Sequence, residues 1–332
     1  EGDGPDIFLE PAFAFDAKTA PMCLLHGGAD PYSPMSSTRI YRKLREKGVP
    51  AELHLYPKTG HKVVGMDRAI EFMRQMDFLP REKEVAIMER FADDSARKGD
   101  AKKIPVWPKG KTPDFRKEQC KPFIQWHVPA KLTTKAIQII YSGGSYNSNG
   151  PDGFEVAPAR RYLNDKGMTV VTLRYRTPRP DGLAKHTTAW QDVERAIRLV
   201  RSEAPRRGLG PDRRRPYRPI DKIDDISSRV QWAVAIYPAY ALTDGLDWFN
   251  TNGGNGDDAV LAPEFSFDPD TAPILFVHGD ADKWAAMNSV KTWEQLRRMG
   301  VDSELHTLAL REHCFQRESS PGTGGYTYLD RI

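Results

Sequence analysis

The chain has 332 residues, a mass of 37.5 kDa, 39% hydrophobic and 28% charged side chains and a mean hydropathy of −0.60. This is ordinary soluble globular composition, with no apolar run long enough to span a bilayer, and the three cysteines (Cys23, Cys120, Cys314) exclude a disulfide scaffold or a C-x-x-C metal site. The net charge of +4 is concentrated in residues 206–218, whose six Arg and one Asp leave the remainder at −1; with only Tyr217 for stacking, that stretch reads as a solvated junction, and neither nucleic acid nor membrane is expected as a partner.

The first strong signal in chain order is P-A-F-A-F-D-A-K-T-A-P-M-C-L-L-H-G-G-A-D from Pro11. It returns from Pro263 as P-E-F-S-F-D-P-D-T-A-P-I-L-F-V-H-G-D-A-D, at an offset of 252 without a gap. Residues 11–61 and 263–313 share 21 identities over 51 positions, and six of the eight histidines fall there as three matched pairs. The chain therefore carries two copies of one ancestral unit. Each copy predicts a short buried strand (Met22–Leu25; Ile274–Val277) that ends in H-G-x-x-D. An amphipathic helix follows (Ser36–Lys47; Asn288–Met299), stopped by Gly48 or Gly300 just past its end. A second strand (Ala51–Tyr56; Ser303–Leu308) leads to a loop that carries His61 or His313. This is the right-handed crossover of an α/β sheet.

Residues 80–103 are charged and read as a helix tail and linker. Residues 1–79 are thus expected to be the C-terminal fragment of a first α/β unit, and 104–332 a second unit. The second unit predicts a strand at Ile137–Tyr141, a helix at Phe154–Lys166, a strand at Met168–Arg176, a helix at Ala189–Glu203 and a strand at Val230–Tyr237. The order βαβαβ…βαβ predicts an α/β fold, a mostly parallel sheet flanked by helices. His26 and His278 are expected to be structural, and His54 and His306 to be surface or packing residues.

H-G-x-x-D followed 31 residues later by a loop His resembles the C-terminal half of the α/β-hydrolases, whose triad runs Ser…Asp…His along the chain. The resemblance implies an acid–base pair at Asp30 and His61 in copy one and at Asp282 and His313 in copy two. Asp280 is a rival acid, but copy one has Gly28 there and keeps Asp30, so the repeat favours Asp282. The S-G-G-S-Y segment is similar to the family's oxyanion loop, which implies oxyanion-hole roles for Gly143, Gly144 and Ser145. I-P-V-W-P-K-G-K-x-P, Y-R-T-P-R-P, A-W-x-D-x-x-R-A-I-R-L-V-R-S-E-A and L-T-D-G-L resemble bacterial carbohydrate-esterase-like hydrolases, similar to acetylxylan and feruloyl esterases. That implies carboxylic-ester hydrolysis on a small-molecule or polysaccharide ester, with no cofactor and no metal. An extracytoplasmic location follows by analogy only, since the opening E-G-D-G-P-D shows no signal peptide.

One part is missing. A Ser hydroxyl needs a His to take its proton, and that His needs an Asp to orient it; yet no G-x-S-x-G occurs in the chain. By the family pattern, the central strand and nucleophile elbow belong between Ala189–Glu203 and Val230–Tyr237, where G-L-G-P-D-R runs into R-R-P-Y-R-P-I-D instead. Ser145, Ser227 and Ser228 are poor substitutes by position. The chain as written is expected to lack turnover. Without the central strand, Ile137–Tyr141 and Val230–Tyr237 must pair directly or leave a gap, and copy one must dock onto the second unit or stay partly unfolded. The alternatives to a defective esterase are a non-catalytic carbohydrate-binding or scaffold protein, for which Trp248, Phe249 and T-N-G-G-N-G-D-D could form a sugar rim, or a non-functional gene fragment.

Overall fold

Each H-G-x-x-D copy folds into the strand, helix and strand its pattern predicts. The computed structural model describes residues 14–62, 64–76, 102–153, 156–204, 217–242, 260–282 and 286–315. Residues 80–101, the basic stretch at 206–216, Trp248, Phe249 and the loop at 251–258 lie outside the described residues. Elements are numbered in chain order. Copy one supplies β1 (Met22–Gly27), α1 (Met35–Glu46), β2 (Ala51–Tyr56) and α2 (Met66–Gln75). Copy two supplies β8 (Ile274–Gly279), α5 (Met287–Arg298) and β9 (Glu304–Leu308), preceded by β7 (Ala233–Ile236). Both long helices end alike: Gly48 and Gly300 take positive φ (71° and 75°), and Val49 and Val301 donate back to Leu44 and Leu296 carbonyls. A side chain would be strained in that conformation.

These elements form one five-stranded sheet in the order β1-β2-β9-β8-β7. Within each copy the strands are parallel, but β2 and β9 are antiparallel, with His54 opposite His306 and Leu55 opposite Leu305. His54 and His306, counterparts in the repeat, thus face each other on a local two-fold axis. The core obeys the same symmetry: Met35, Tyr41 and Leu44 of α1 and their counterparts Met287, Trp293 and Leu296 of α5 are all buried with Leu53, Leu55, Phe276 and Leu305. Of the two expectations for His54 and His306, surface or packing, burial selects packing. Burial holds the His54 pKa down to about 4 against the pull of Glu52, so the ring is neutral. Its Nε2–H donates to Glu52 (2.9 Å), and its Nδ1 accepts from His306 Nδ1–H (2.7 Å).

The other strands form a separate four-stranded sheet, β3-β4-β6-β5: β3 (Ile104–Pro105), β4 (Phe123–His127), β5 (Ile137–Ile140) and β6 (Thr169–Arg174). Only β5 and β6 are parallel. Helices α3 (Ala157–Asp165) and α4 (Thr187–Glu203) accompany them. Trp107, Ile124, Val171, Leu173, Ala189, Ala196 and Val200 form the core of this part.

The chain divides into two units, Glu1–Glu84 with Gln231–Thr323 and Val85–Val230 with Gly324–Ile332. Pairing of β2 with β9 places copy two in the sheet of copy one. Both sheets are mixed: the first is parallel in three of its four pairings, the second in one of its three. Among the described residues, β5 is an end strand of its sheet and β7 an end strand of its own. Between α4 and β7 the described residues hold only a short 3-10 helix, Lys222–Asp225. No helix among the described residues is long and apolar enough to cross a membrane.

Candidate active site

The carboxyl end of β8 carries His278 and Gly279, then turns through Asp280 to Asp282, while the loop after β9 brings His313 back over the strand end. His313 Nδ1 lies 2.8 Å from Asp282 Oδ2, and His278 Nε2 lies 2.7 Å from the same oxygen. Asp282 is 1% exposed, and the His313 side chain 22%. His278 is buried, which lowers its pKa despite Asp282. A neutral ring that donates Nε2–H to Asp282 leaves Nδ1 to accept from the Ser289 hydroxyl, 2.8 Å away.

Burial opposes the charge on both partners of the Asp282–His313 pair, and the pairing outweighs it. The two imidazoles hold the Asp282 carboxyl far below the usual carboxylate range. Burial pulls His313 down, but its hydrogen bond to Asp282, supported by one to the Cys314 thiol, lifts it to about 9. The Tyr237 ring at the end of β7 meets the His313 ring edge-on at 4.9 Å. Tyr237 and Cys314 both hold positive φ, 36° and 60°. Sequence reasoning singled out neither as a site residue; their only signal was position, one closing a strand and the other following the predicted histidine.

Copy one repeats the arrangement in a more open setting. His61 Nδ1 is 2.9 Å from Asp30 Oδ2, His26 Nε2 is 3.5 Å from the same oxygen, and His26 Nδ1 contacts Ser37 Oγ at 2.8 Å. Asp30 lies below its ordinary range: burial works against this, and the Tyr32 amide and His61 ring prevail. The His61 side chain is 71% exposed. Because β2 and β9 are antiparallel, β1 and β8 end on opposite edges of the sheet. The structure brings each Asp to its own His and keeps the two pairs apart.

The rival acid is engaged elsewhere. Asp280 Oδ1 accepts from Tyr41 (2.8 Å) and Arg45 (2.5 Å), and Oδ2 accepts from the Ala51 amide (3.2 Å). Gly143, Gly144 and Ser145 follow β5 in the second unit. There Tyr175 donates to the Gly143 carbonyl at 3.0 Å, and the Asn147 amide closes a turn on Gly144. Gly144 has φ of 108°, and a Cβ there would meet the Ser148 carbonyl at 2.0 Å, so only glycine fits. Ser227 accepts from the Arg229 amide, and Ser228 donates to Glu194; both hydroxyls serve local structure.

The glycine of H-G has a geometric reason. A Cβ at Gly279 would lie 2.2 Å from the Arg311 carbonyl, and one at the matched Gly27 would lie 2.3 Å from that of Thr59. The histidine loop crosses the strand end in direct contact with glycine in both copies. Gly279→Ala is expected to push the 311–313 backbone away, costing about 1–3 kcal/mol as overpacking does. It should also return the His313 pKa toward its ordinary value. Urea denaturation and an imidazole titration by NMR check both; an unchanged titration would show that the loop tolerates the methyl group.

Cys23, Glu52 and His54 place one potential ligand atom each within 4.8 Å of one another. Glu52 already accepts from His54, from Arg68 (3.2 Å) and from the Ala309 amide (3.0 Å). Burial, then the Glu52 charge, push the Cys23 thiol up to about 12. A guanidinium on the shared carboxylate and a protonated thiol suit a buried ion pair better than a cation.

Residues 5–83 match the model of the prolyl oligopeptidase family. Among solved structures, the chain is similar to an acetyl ester-xyloside bifunctional hydrolase from Caldicellulosiruptor lactoaceticus, at 20% identity and TM-score 0.52 over 70% of this chain and 92% of that one. It also matches the carboxylesterase Cest-2923 from Lactobacillus plantarum WCFS1 (13% identity, TM-score 0.48, 70% and 94% covered). A truncated carbohydrate esterase from gut microbiota matches at 17% identity, TM-score 0.44, with 64% and 87% covered. No curated protein sequence matches. The chain has an α/β-hydrolase fold.

Proposed function

We propose that this chain descends from a serine hydrolase of carboxylic esters, on small-molecule or polysaccharide substrates, and that in its present form it lacks the nucleophile and turns over little or nothing. One observation carries the reading: the buried Asp282 carboxylate holds the loop imidazole of His313 by Nδ1 at 2.8 Å. In a triad this bond fixes the tautomer and steadies the imidazolium formed when the other ring nitrogen takes the serine proton. The acyl-transfer step requires three further things: a hydroxyl at that second nitrogen, donors for the developing oxyanion, and water for the acyl-enzyme. The oxyanion role stays assigned to Gly143, Gly144 and Ser145, and the corresponding pair in copy one to Asp30 and His61. No sequence element supplies the hydroxyl, since no G-x-S-x-G is present.

The electrostatics agree with a dormant site. At neutral pH a His313 held near pKa 9 is already protonated and has no lone pair to accept a proton. Hydrolysis of p-nitrophenyl acetate should therefore show no His313-dependent rate at pH 7. Any residual rate should rise as pH passes about 9. A large rate at pH 7 that His313→Ala abolishes would overturn the inactive assignment and call for another nucleophile. The prolyl oligopeptidase match spans the Asp30–His61 half of a unit, a part that ester and amide hydrolysis use alike.

A further inference from the structure

The antiparallel seam between β2 and β9 has the geometry of an isologous dimer interface inside one chain. Its contacts come as mates. The Arg45 guanidinium reaches the Asp280 backbone carbonyl, and the Arg297 guanidinium reaches the Gly28 carbonyl; positions 45 and 297, and 28 and 280, are counterparts in the repeat. On the axis itself, counterparts face each other: His54 with His306 at 2.7 Å, and Arg42 with Glu294 at 3.2 Å. The histidines are identical, but the two sequences have diverged at the Arg42–Glu294 contact and around Asp280. Arg42 and Glu294 are opposite charges at the same repeat position, both buried, with side chains 8% and 2% exposed. Asp280 takes Arg45 and the Tyr41 hydroxyl, where its counterpart is Gly28 and the counterpart of Tyr41 is Trp293.

Self-pairing would break this arrangement. Two copies of the first kind would set Arg42 against Arg42 on the axis. Two of the second kind would set Glu294 against Glu294, with Arg298 of the same helix (3.7 Å) as the nearby cation. Like charges juxtaposed in a desolvated seam are strongly disfavoured, whereas an Arg–carboxylate pair is accepted. We propose that the β2–β9 seam carries a charge code that admits one copy of each kind and rejects self-pairing. The partner this surface fits is the other half-unit of the same repeat, of opposite charge at the axis.

The test uses the full chain. Arg42→Glu and Glu294→Arg each place like charges on the axis, and each should lower the melting temperature by at least about 5 °C. Arg42→Glu/Glu294→Arg restores opposite charges and should recover at least half of the summed loss. The two single variants, co-expressed with different tags, should co-purify as a strand-exchanged pair, because each supplies the charge the other lacks. Two tagged copies of the parent should not. A double variant that melts as low as the sum of the singles, or singles that co-purify no more than parent copies do, would overturn the code. Should either single variant fail to accumulate alone, the double variant and the co-expressed pair still decide.

Discussion

In Asp282→Asn the His313 imidazole should titrate at or below 6.5 instead of near 9. The parent value is a balance in which burial lowers the pKa and the Asp282 carboxylate, with help from Cys314, raises it further. Asparagine keeps the shape and removes the charge, so burial is left with little to oppose it. The change of more than two units is readable from the ring carbon protons by NMR. It also has a stability counterpart. A pKa raised on folding means the folded state binds the extra proton more tightly. The contribution is fully present below pH 6.5 and is lost as pH rises from 6.5 through 9. At 1.36 kcal/mol per unit it amounts to about 3 kcal/mol. The part of the lowered Asp282 pKa that His313 supplies is the same interaction seen from its partner and adds nothing further. Urea midpoints of the parent should fall across pH 6.5–9, while those of Asp282→Asn stay level. A parent curve as flat as that of the variant would dissolve the ion pair as an energetic unit.

Asp192→Ala should cost the second unit about 3–5 kcal/mol, the usual penalty for stranding a buried charge. Arg176 and Asp192 are both 0% exposed. Asp192 accepts from Trp107 Nε1 (2.6 Å), from the Arg176 amide (2.7 Å) and from Arg176 Nε (3.0 Å). The rest of the guanidinium is occupied by Gln191, by the Thr188 carbonyl and by the Pro113 carbonyl. Arg195 lies on the Trp107 ring, 5.5 Å from its centroid, and pairs with Asp221 and Asp224 at 2.7 Å each. Removing the carboxylate leaves the Arg176 charge with carbonyl dipoles and the face of the Trp107 ring, 5.9 Å from its centroid. Chemical denaturation should show the loss, and Arg176→Met/Asp192→Leu should recover most of it because no unpaired charge remains. A loss below about 1 kcal/mol in Asp192→Ala would mean that water reaches the site.

These residues explain why the sequence motifs were readable while their role was not. I-P-V-W, Y-R-T-P and A-W-x-D-x-x-R contribute Trp107, Arg176, Asp192 and Arg195, which meet in one buried network. A motif of this kind marks a packing solution as readily as a site, and spacing alone does not separate the two. The repeat was legible because it preserved both the strand pattern and the Asp–His spacing. The predicted strand Ala51–Tyr56 is β2 itself, and both helices lie within one residue of prediction. The antiparallel seam was not legible. Buried leucines at 53, 55 and 305 show that these strands are interior, but not which neighbour each takes. The crossovers fix only the pairing inside a copy. For the same reason the sheet that β7 joins was not legible: it pairs with β8, yet its apolar run would suit either sheet.

The seam also sets an order of events during synthesis. β2 closes its free edge only against Glu304–Leu308, about 250 residues later in the chain. At ribosomal speeds of about 5–20 residues per second, that wait is on the order of tens of seconds. Throughout it the first copy exposes one ladder of unpaired amides and carbonyls, a template for any passing strand. Contacts this distant along the chain are slow to form even after release. Yield in a cell should therefore respond to chaperone supply and translation speed more than to any change that merely tightens the finished core.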